Sequence, residues 1–423
     1  MPTPQCKKQK IKFNAQSFIQ YLLPLQKILL TTPVLNSRGY RPLKMTFEDQ
    51  LNALLFYHLQ EHESARDLVQ CMKEDDFAKN NIAPDGGIGL SSFCEAINDR
   101  GLEQLQYVFD ELCKKAHKVL PAQYSNLGDL VSIDGSLINA VLTMYWADYR
   151  KGSKKAKGHF GFDVNRQIPL KVYLTDGKGA ERPFVSSILT EGQTGIMDRG
   201  YQSHKDFDFI QAENKHFVCR IKIKTTQTII KQNSVPEDSH IFYDAEVLLG
   251  TPGVNQSKTP VRVVGYKIAG LTFYVATDRH DLTAEQVAKI YKLRWDIESF
   301  FKWWKKHLKV YHLIARSEYG VMVQILGGLI SYLLMSIYCH ENFNEKVSIR
   351  RIRQLRNDIQ NELRDPFGLS TSGDQAAKKR KRSPQKPNRT PLNHYTTSLK
   401  LLKPFWFWLV QVRYSDDLHD TDK

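Results

Sequence analysis

Three acidic residues in separate parts of the chain have the chemistry and setting of a divalent-metal site. Asp134 closes the run Leu130-Val131-Ser132-Ile133-Asp134, and Asp198 closes Gly195-Ile196-Met197-Asp198, each beside a glycine-containing turn. Acids at strand ends stand where α/β sheets open a crevice. The third, Glu298, lies in the helical run VAKIYKLRWDIESFFKWWKKHL. Two such aspartates and one helical glutamate are the hard oxygen donors that a pair of divalent ions requires. Taken singly, a turn aspartate is commonplace, and Asp148, Asp163 and Asp176 follow strand-like runs too, so they stand as alternatives.

The helix around Glu298 is predicted to run over 284–308. At roughly 100° per residue, Ile290, Leu293, Ile297, Phe301, Trp304 and Leu308 form a core-facing stripe. Beside it, Tyr291, Arg294, Glu298, Lys302 and Lys305 share an arc of roughly 60°, whereas Asp296 points elsewhere. Glu298 is therefore the one acid among these cations. The plain alternative is that Arg294 merely pairs with Glu298 at i,i+4.

The elements that must position these residues change character along the chain. From residue 14 to about 120 apolar residues recur every three or four positions, so the segment reads as helical. Ser92-Phe93-Cys94-Glu95 has the form of a capping box and predicts a helix through Glu103. With the shorter helix Glu63 to Met72 before it, this is compatible with a helix-turn-helix reader of DNA or with an ordinary helical bundle. From about Leu127 the period becomes that of strands, at 130–134, 158–164, 170–175, 195–198 and 216–222, with helices at 181–190 and 203–213. Residues 224–277 are β-rich and end before a second capping box, Thr283-Ala284-Glu285-Gln286. The uncharged stretch Tyr319 to Cys339 is long enough to span a bilayer, but its Gln324, Gly327, Gly328, Ser331 and Ser336 favour a helix buried in a core.

Composition narrows the class. Sixty Lys and Arg against 45 Asp and Glu leave a net charge of +15 over 423 residues, which favours a polyanionic partner. Seven of those cations fall in residues 376–390, where there is no acid, and that stretch is expected to be disordered. The segment Phe405-Trp406-Phe407-Trp408 is expected to pack back on the core. The six cysteines form no C-x-x-C pair, which argues for a reduced cytoplasmic protein without a zinc knuckle or dithiol motif.

Asp134 in Ile-Asp-Gly-Ser, Asp198 in Asp-Arg-Gly-Tyr, and Tyr291-x2-Arg294-x3-Glu298-x6-Lys305 closely resemble the DDE transposases of bacterial insertion sequences, the IS-four family, over roughly residues 125–340. The resemblance implies an α/β fold: a ribonuclease-H-like catalytic domain with an all-β insertion, preceded by an all-α N-terminal domain. The divisions it suggests are a helical DNA-binding domain at 1–125, a first catalytic part at 126–223 and a β-rich insertion at 224–280. The helix carrying Glu298 and the buried helix after it then occupy 281–345. A basic helical region at 346–423, with a disordered linker at 370–392, completes the chain.

By the same resemblance, Asp134, Asp198 and Glu298 hold two Mg²⁺ ions, for which Mn²⁺ can substitute, while Tyr291, Arg294 and Lys305 grip phosphates near the cleaved end. Lys302, on the same arc but outside the signature, is a further DNA-binding candidate. The implied partners are double-stranded DNA, as transposon ends and target, and a second copy of the chain in a synaptic homodimer, with no membrane. The implied reaction is cut-and-paste transposition in the nucleoid-associated cytoplasm. Better-known relatives stack a flipped base on a Trp of the β insertion. Residues 224–277 contain no Trp, only Phe242, Tyr243, Tyr266, Phe273 and Tyr274, which leaves the hairpin route open. Trp295 is a substitute platform or a structural residue. A catalytically silent DNA-binding regulator and a metal-dependent nuclease of the same fold are the alternatives.

Overall fold

The computed structural model describes residues 16–37, 42–235, 237, 239–310 and 312–362. The basic stretch 376–390 and the aromatic segment 405–408 lie outside the described residues.

The first described elements are helices: α1 Gln16–Leu22, α2 Gln26–Thr31, α3 Phe47–Leu59, α4 Ala65–Glu74, α5 Leu90–Asp99 and α6 Leu102–Val119. Where local chemistry sets a helix start, the sequence shows it. Thr46 caps α3 by accepting from the Asp49 N–H while the Asp49 carboxylate accepts from the Thr46 N–H. The Ser92 capping box does not form, because α5 starts three residues earlier, on Gly89, and ends at Asp99. Gly101, at φ +84°, turns the chain into α6.

Strands then follow as β1 Leu130–Ala140, β2 Asp148–Arg150, β3 Ser153–Asp163 and β4 Ile168–Asp176, before a single turn of helix, α7 Val185–Ile188. Next come β5 Thr194–Met197, α8 His204–Ala212 and β6 His216–Arg220. The β-rich segment supplies β7 Gln227–Gln232, β8 Ile241–Leu249, β9 Val261–Ile268 and β10 Leu271–Thr277. The helices α9 Ala284–Leu293, α10 Trp295–His307, α11 Glu318–Phe343 and α12 Ile349–Glu362 complete the described chain.

All these strands join one sheet, in the order β2-β3-β1-β5-β6-β10-β9-β8-β7, with β4 on β3. Only β1–β5 and β5–β6 are parallel. Residues 227–277 thus extend the central sheet, attached where β10 runs antiparallel to β6. β1 alternates between two cores: Val131 and Ile133 pack on one face, and Leu130 on the other. The first core includes α7 and α8, and the second includes the N-terminal helices with α9 to α12.

The 26-residue α11 passes the length and hydropathy test for a membrane span, yet 94% of its apolar window is buried inside the protein. It packs against α3, α5, α6 and β4, so the helical block and the sheet share one core. Buried His58 of α3 joins the parts, its ring nitrogens lying 2.6 Å from the Leu308 carbonyl and 3.1 Å from that of Gln324.

Two further sequence expectations need correction. β1 does not end at Asp134. It leaves β5 after Ser132 but stays paired with β3 as far as Ala140, so Gly135 lies within a strand. The single helix expected over 284–308 is two, α9 and α10, divided at Arg294, whose N–H closes a tighter i→i−3 turn on the Tyr291 carbonyl at 3.1 Å.

Candidate active site

The parallel register brings two of the acids to the same end of neighbouring strands. Ser132 pairs with Ile196, and two residues further along each strand stand Asp134 and Asp198. Both lie where β1 and β5 part, the place at which a parallel sheet opens to a ligand. α10 packs on β1 and carries Glu298 to the same end.

Arg294 joins two of the three segments. Its guanidinium donates to Asp134 Oδ2 at 3.2 Å and to Glu298 Oε1 at 2.6 Å. Its side chain is 2% exposed, against 22% for Asp134 and 26% for Glu298, so the acids reach solvent and the cation does not. The i,i+4 pairing is present, but it forms half of a bridge to a strand 160 residues away. Arg294 Nε is buried without a partner among the described residues. Tyr291 donates from its hydroxyl to Asp198 Oδ1 at 3.3 Å.

The balance of charge is acidic. Burial, opposed by Arg294 and then by the Gly135 N–H, pushes the Asp134 carboxyl up to about 7, with Glu181 and Glu298 adding to the rise. Burial opposes the charge on Arg294, yet Tyr291, Asp198, Asp134 and Glu298 more than offset it and hold the guanidinium above its ordinary range. The Tyr291 hydroxyl is raised by burial and then by Asp198.

Of the remaining sequence candidates, Lys305 is turned toward β1 and donates to the Leu137 carbonyl at 2.6 Å, its pKa lowered by burial and then by Lys155. Lys302 is exposed to solvent, one turn beyond Glu298 on α10. Among the alternatives, Asp163 is buried against Arg166 at 3.2 Å and Asp148 pairs with Lys154 and Lys178, so both have local structural partners. Asp176 accepts from the Lys178 N–H across a turn.

Sequence reasoning missed Glu181. A Cβ on Gly135 would meet Glu181 Oε1 at 2.6 Å, so the absence of a side chain at 135 lets this fourth carboxylate lie against β1 beside Asp134. Lys157 sits 3.3 Å from it. Tyr201 completes this side, its hydroxyl raised by burial and then by Glu181, Asp134 and Asp198. Gly135 was the available signal, but it reads equally well as a turn residue. On the Tyr291 side, Phe273 stacks on Tyr266 with ring centroids 5.3 Å apart, and the Arg220 guanidinium lies 4.9 Å from the Phe273 centroid.

The donor chemistry fits a hard divalent cation: carboxylate oxygens from β1 and α10 face one guanidinium, and the Asp134 carboxyl is raised to about 7 by burial. Among the described residues no group of three His, Cys, Asp or Glu is gathered tightly enough to enclose an ion, and the Arg294 fork bridges Asp134 and Glu298.

The family described as the transposase DDE domain matches residues 126–334. A putative transposase for insertion sequence element IS4SA of Synechocystis is 24% identical over 59% of this chain and 72% of its own length. A putative transposase y4zB of Sinorhizobium fredii is 27% identical over 47% of this chain and 57% of its own. The transposase for insertion sequence element IS231B of Bacillus thuringiensis is 20% identical over 70% and 74% respectively. Among solved structures, the piggyBac transposase synaptic complex with hairpin DNA aligns at a TM-score of 0.40 and 12% identity, covering 88% of this chain and 84% of that one. Through residues 126–334, the chain belongs to the DDE transposases of insertion sequences.

Proposed function

We propose that this transposase cleaves DNA at the ends of an insertion sequence and joins them to target DNA, with Asp134, Asp198 and Glu298 holding two Mg²⁺ ions in a ribonuclease-H-like centre. The observation that carries the reading is the meeting of Asp134 and Glu298, from a strand and a helix far apart in sequence, on one buried guanidinium, with Asp198 following the neighbouring strand at the same end of the sheet. Bound there, the ions would supply charge neutralisation at the scissile phosphate and a water or 3′-hydroxyl nucleophile at neutral pH.

The chain's own residues do the positioning. Arg294 sets the spacing of Asp134 and Glu298 before any ion arrives and keeps their mutual repulsion in check. Tyr291 orients Asp198 through its hydroxyl, and Glu181 keeps the field at Asp134 negative. Burial of Arg294 restricts it to this work, which makes the phosphate-gripping role an indirect one for that residue. Lys302, exposed one turn beyond Glu298, is free to meet a backbone phosphate. Phe273, half-buried on top of the buried Tyr266, offers the ring for the stacking that a Trp would otherwise provide.

The described residues hold one such carboxylate centre and an excision has two ends, so the proposal includes two copies acting together on double-stranded DNA, in the cytoplasm. The test is incubation of the purified protein with duplex carrying the element's inverted repeats and Mg²⁺ or Mn²⁺, followed by mapping of strand breaks. Breaks at the repeat termini are expected, and intact DNA with either ion overturns the proposal.

A further inference from the structure

Apart from the carboxylates, the described residues form a basic pocket of about 660 Å³ between the start of α8, the segment after β6 and the turn joining β8 to β9. Arg182, Lys205, Lys222, Lys224 and Lys258 line it, with Asp208 as its acid. Asp208 is already committed: its carboxylate accepts from the Lys258 N–H at 3.1 and 3.0 Å and the Thr259 N–H at 2.9 Å, clamping the turn. None of the five cations forms an ion pair among the described residues. Like charges gathered in a concavity repel one another and focus a positive potential, an arrangement that favours an anion of matching extent.

The walls are built in advance. Gln202 accepts from the Lys222 N–H at 2.8 Å and donates to the Thr225 hydroxyl at 3.0 Å, fixing the segment after β6 to the start of α8. His204 Nδ1 lies 2.8 Å from the Asn255 carbonyl, and Gly250 at φ +100° admits that carbonyl where a Cβ would meet it at 2.4 Å. The pocket also adjoins the active site through the chain itself. Arg182 follows Glu181, and Gln202 follows Tyr201, the pair that flanks Asp134.

We infer that this pocket seats backbone phosphates of the DNA strand leading away from the carboxylate centre, and that it does so without reading sequence. The inference rests on the proposed function and deepens it by locating a second contact surface for the same substrate. Lys and Arg contacts to phosphate carry no base information, so the pocket should hold cognate and unrelated duplexes alike.

The test is fluorescence anisotropy of labelled duplexes across a potassium chloride series in EDTA, comparing wild type with a protein carrying Lys205→Gln, Lys222→Gln, Lys224→Gln and Lys258→Gln. Each phosphate contact contributes about 0.9 to the slope of log affinity against log salt, so the slope should fall by roughly 2 to 4 for both kinds of duplex. All four lysines are exposed, and an unchanged thermal midpoint checks the fold. Should the combined variant not fold, Lys222→Gln and Lys258→Gln singly should each lower the slope by about 0.9.

A wild-type slope in the folded variants overturns the pocket inference while leaving the proposed function intact. A wild-type protein that binds no duplex overturns both. Competition by a deoxynucleoside monophosphate at the same phosphate concentration as the duplex would assign the pocket to a free phosphate and likewise overturn it.

Discussion

Arg294 and Arg262 are both buried arginines that face acids, and the contrast between them separates an active site from scaffold. Arg262, on β9, meets one partner, Asp244 of β8, with Nε at 2.9 Å from Oδ1 and Nη2 at 2.6 Å from Oδ2, while Nη1 donates to the Leu282 carbonyl. Although burial works against its charge, Asp244 ends below its ordinary range because Arg262 and Asn233 hydrogen-bond to it. One cation meets one anion with every nitrogen satisfied. Arg294 divides its fork between two acids, leaves Nε without a described partner, and is surrounded by more carboxylate than it can neutralise. A pair that exists for stability is balanced, whereas one that waits for a further cation is not.

The largest effects should fall on activity at one site and on stability at the other. Asp134→Asn and Glu298→Gln should each lower Mg²⁺-dependent strand cleavage by roughly a thousandfold, equivalent to about 4 kcal/mol of transition-state stabilisation. Their thermal midpoints should hold or rise, because one of several crowded charges has gone. Next, Arg262→Ala strands Asp244 in the sheet and should destabilise the fold by about 3–5 kcal/mol, measured by chemical denaturation. The comparison breaks if Asp134→Asn destabilises as much as Arg262→Ala.

Acid and alkali should act on the two sites in opposite directions. Asp134 titrates near 7 when folded and near 3.8 when unfolded. Between those values the folded state keeps a proton that the unfolded state has lost, so metal-free stability from this group falls as pH rises from about 4 to about 7. Asp244 is depressed on folding, and its contribution is present above the ordinary carboxylate pKa and lost as pH falls below it. Urea titrations in EDTA across this range, repeated on Asp134→Asn, should show the first slope vanish in the variant. A slope that survives the substitution assigns it to another group.

The features visible in the sequence are the local ones. The capping boxes at Thr46 and Thr283 form because the partner residues lie three positions apart, although Ser92 shows that a competing start at Gly89 can override the pattern. Asp134 and Asp198 could be picked out because alternation marks strands and glycine marks their surroundings. Their adjacency needs the β1–β5 register, which no local pattern encodes. Glu181 and the Leu137 carbonyl that receives Lys305 were beyond reach for the same reason. The break at Arg294 was hidden because every flanking residue is an acceptable helix former, and the tighter turn coincides with the side chain being drawn to a strand 160 residues away.

The smallest effect tests whether the Arg294 fork is a placeholder for the ions. Arg294→Lys keeps a positive charge, but an ammonium on its flexible stem lacks the planar fork that reaches Asp134 and Glu298 together. The loss of one charge-assisted hydrogen bond should lower stability by about 1–2 kcal/mol in EDTA. The released carboxylate should then be open to Mg²⁺, so the ion should raise the thermal midpoint of the variant more than that of wild type. Arg262→Lys provides the control: it loses a comparable bond, but Asp244 is one acid in a closed site, and Mg²⁺ should restore nothing. Equal Mg²⁺ shifts in wild type and Arg294→Lys would mean that guanidinium and ion do not compete for the carboxylates, and the two arginines would then differ only in geometry.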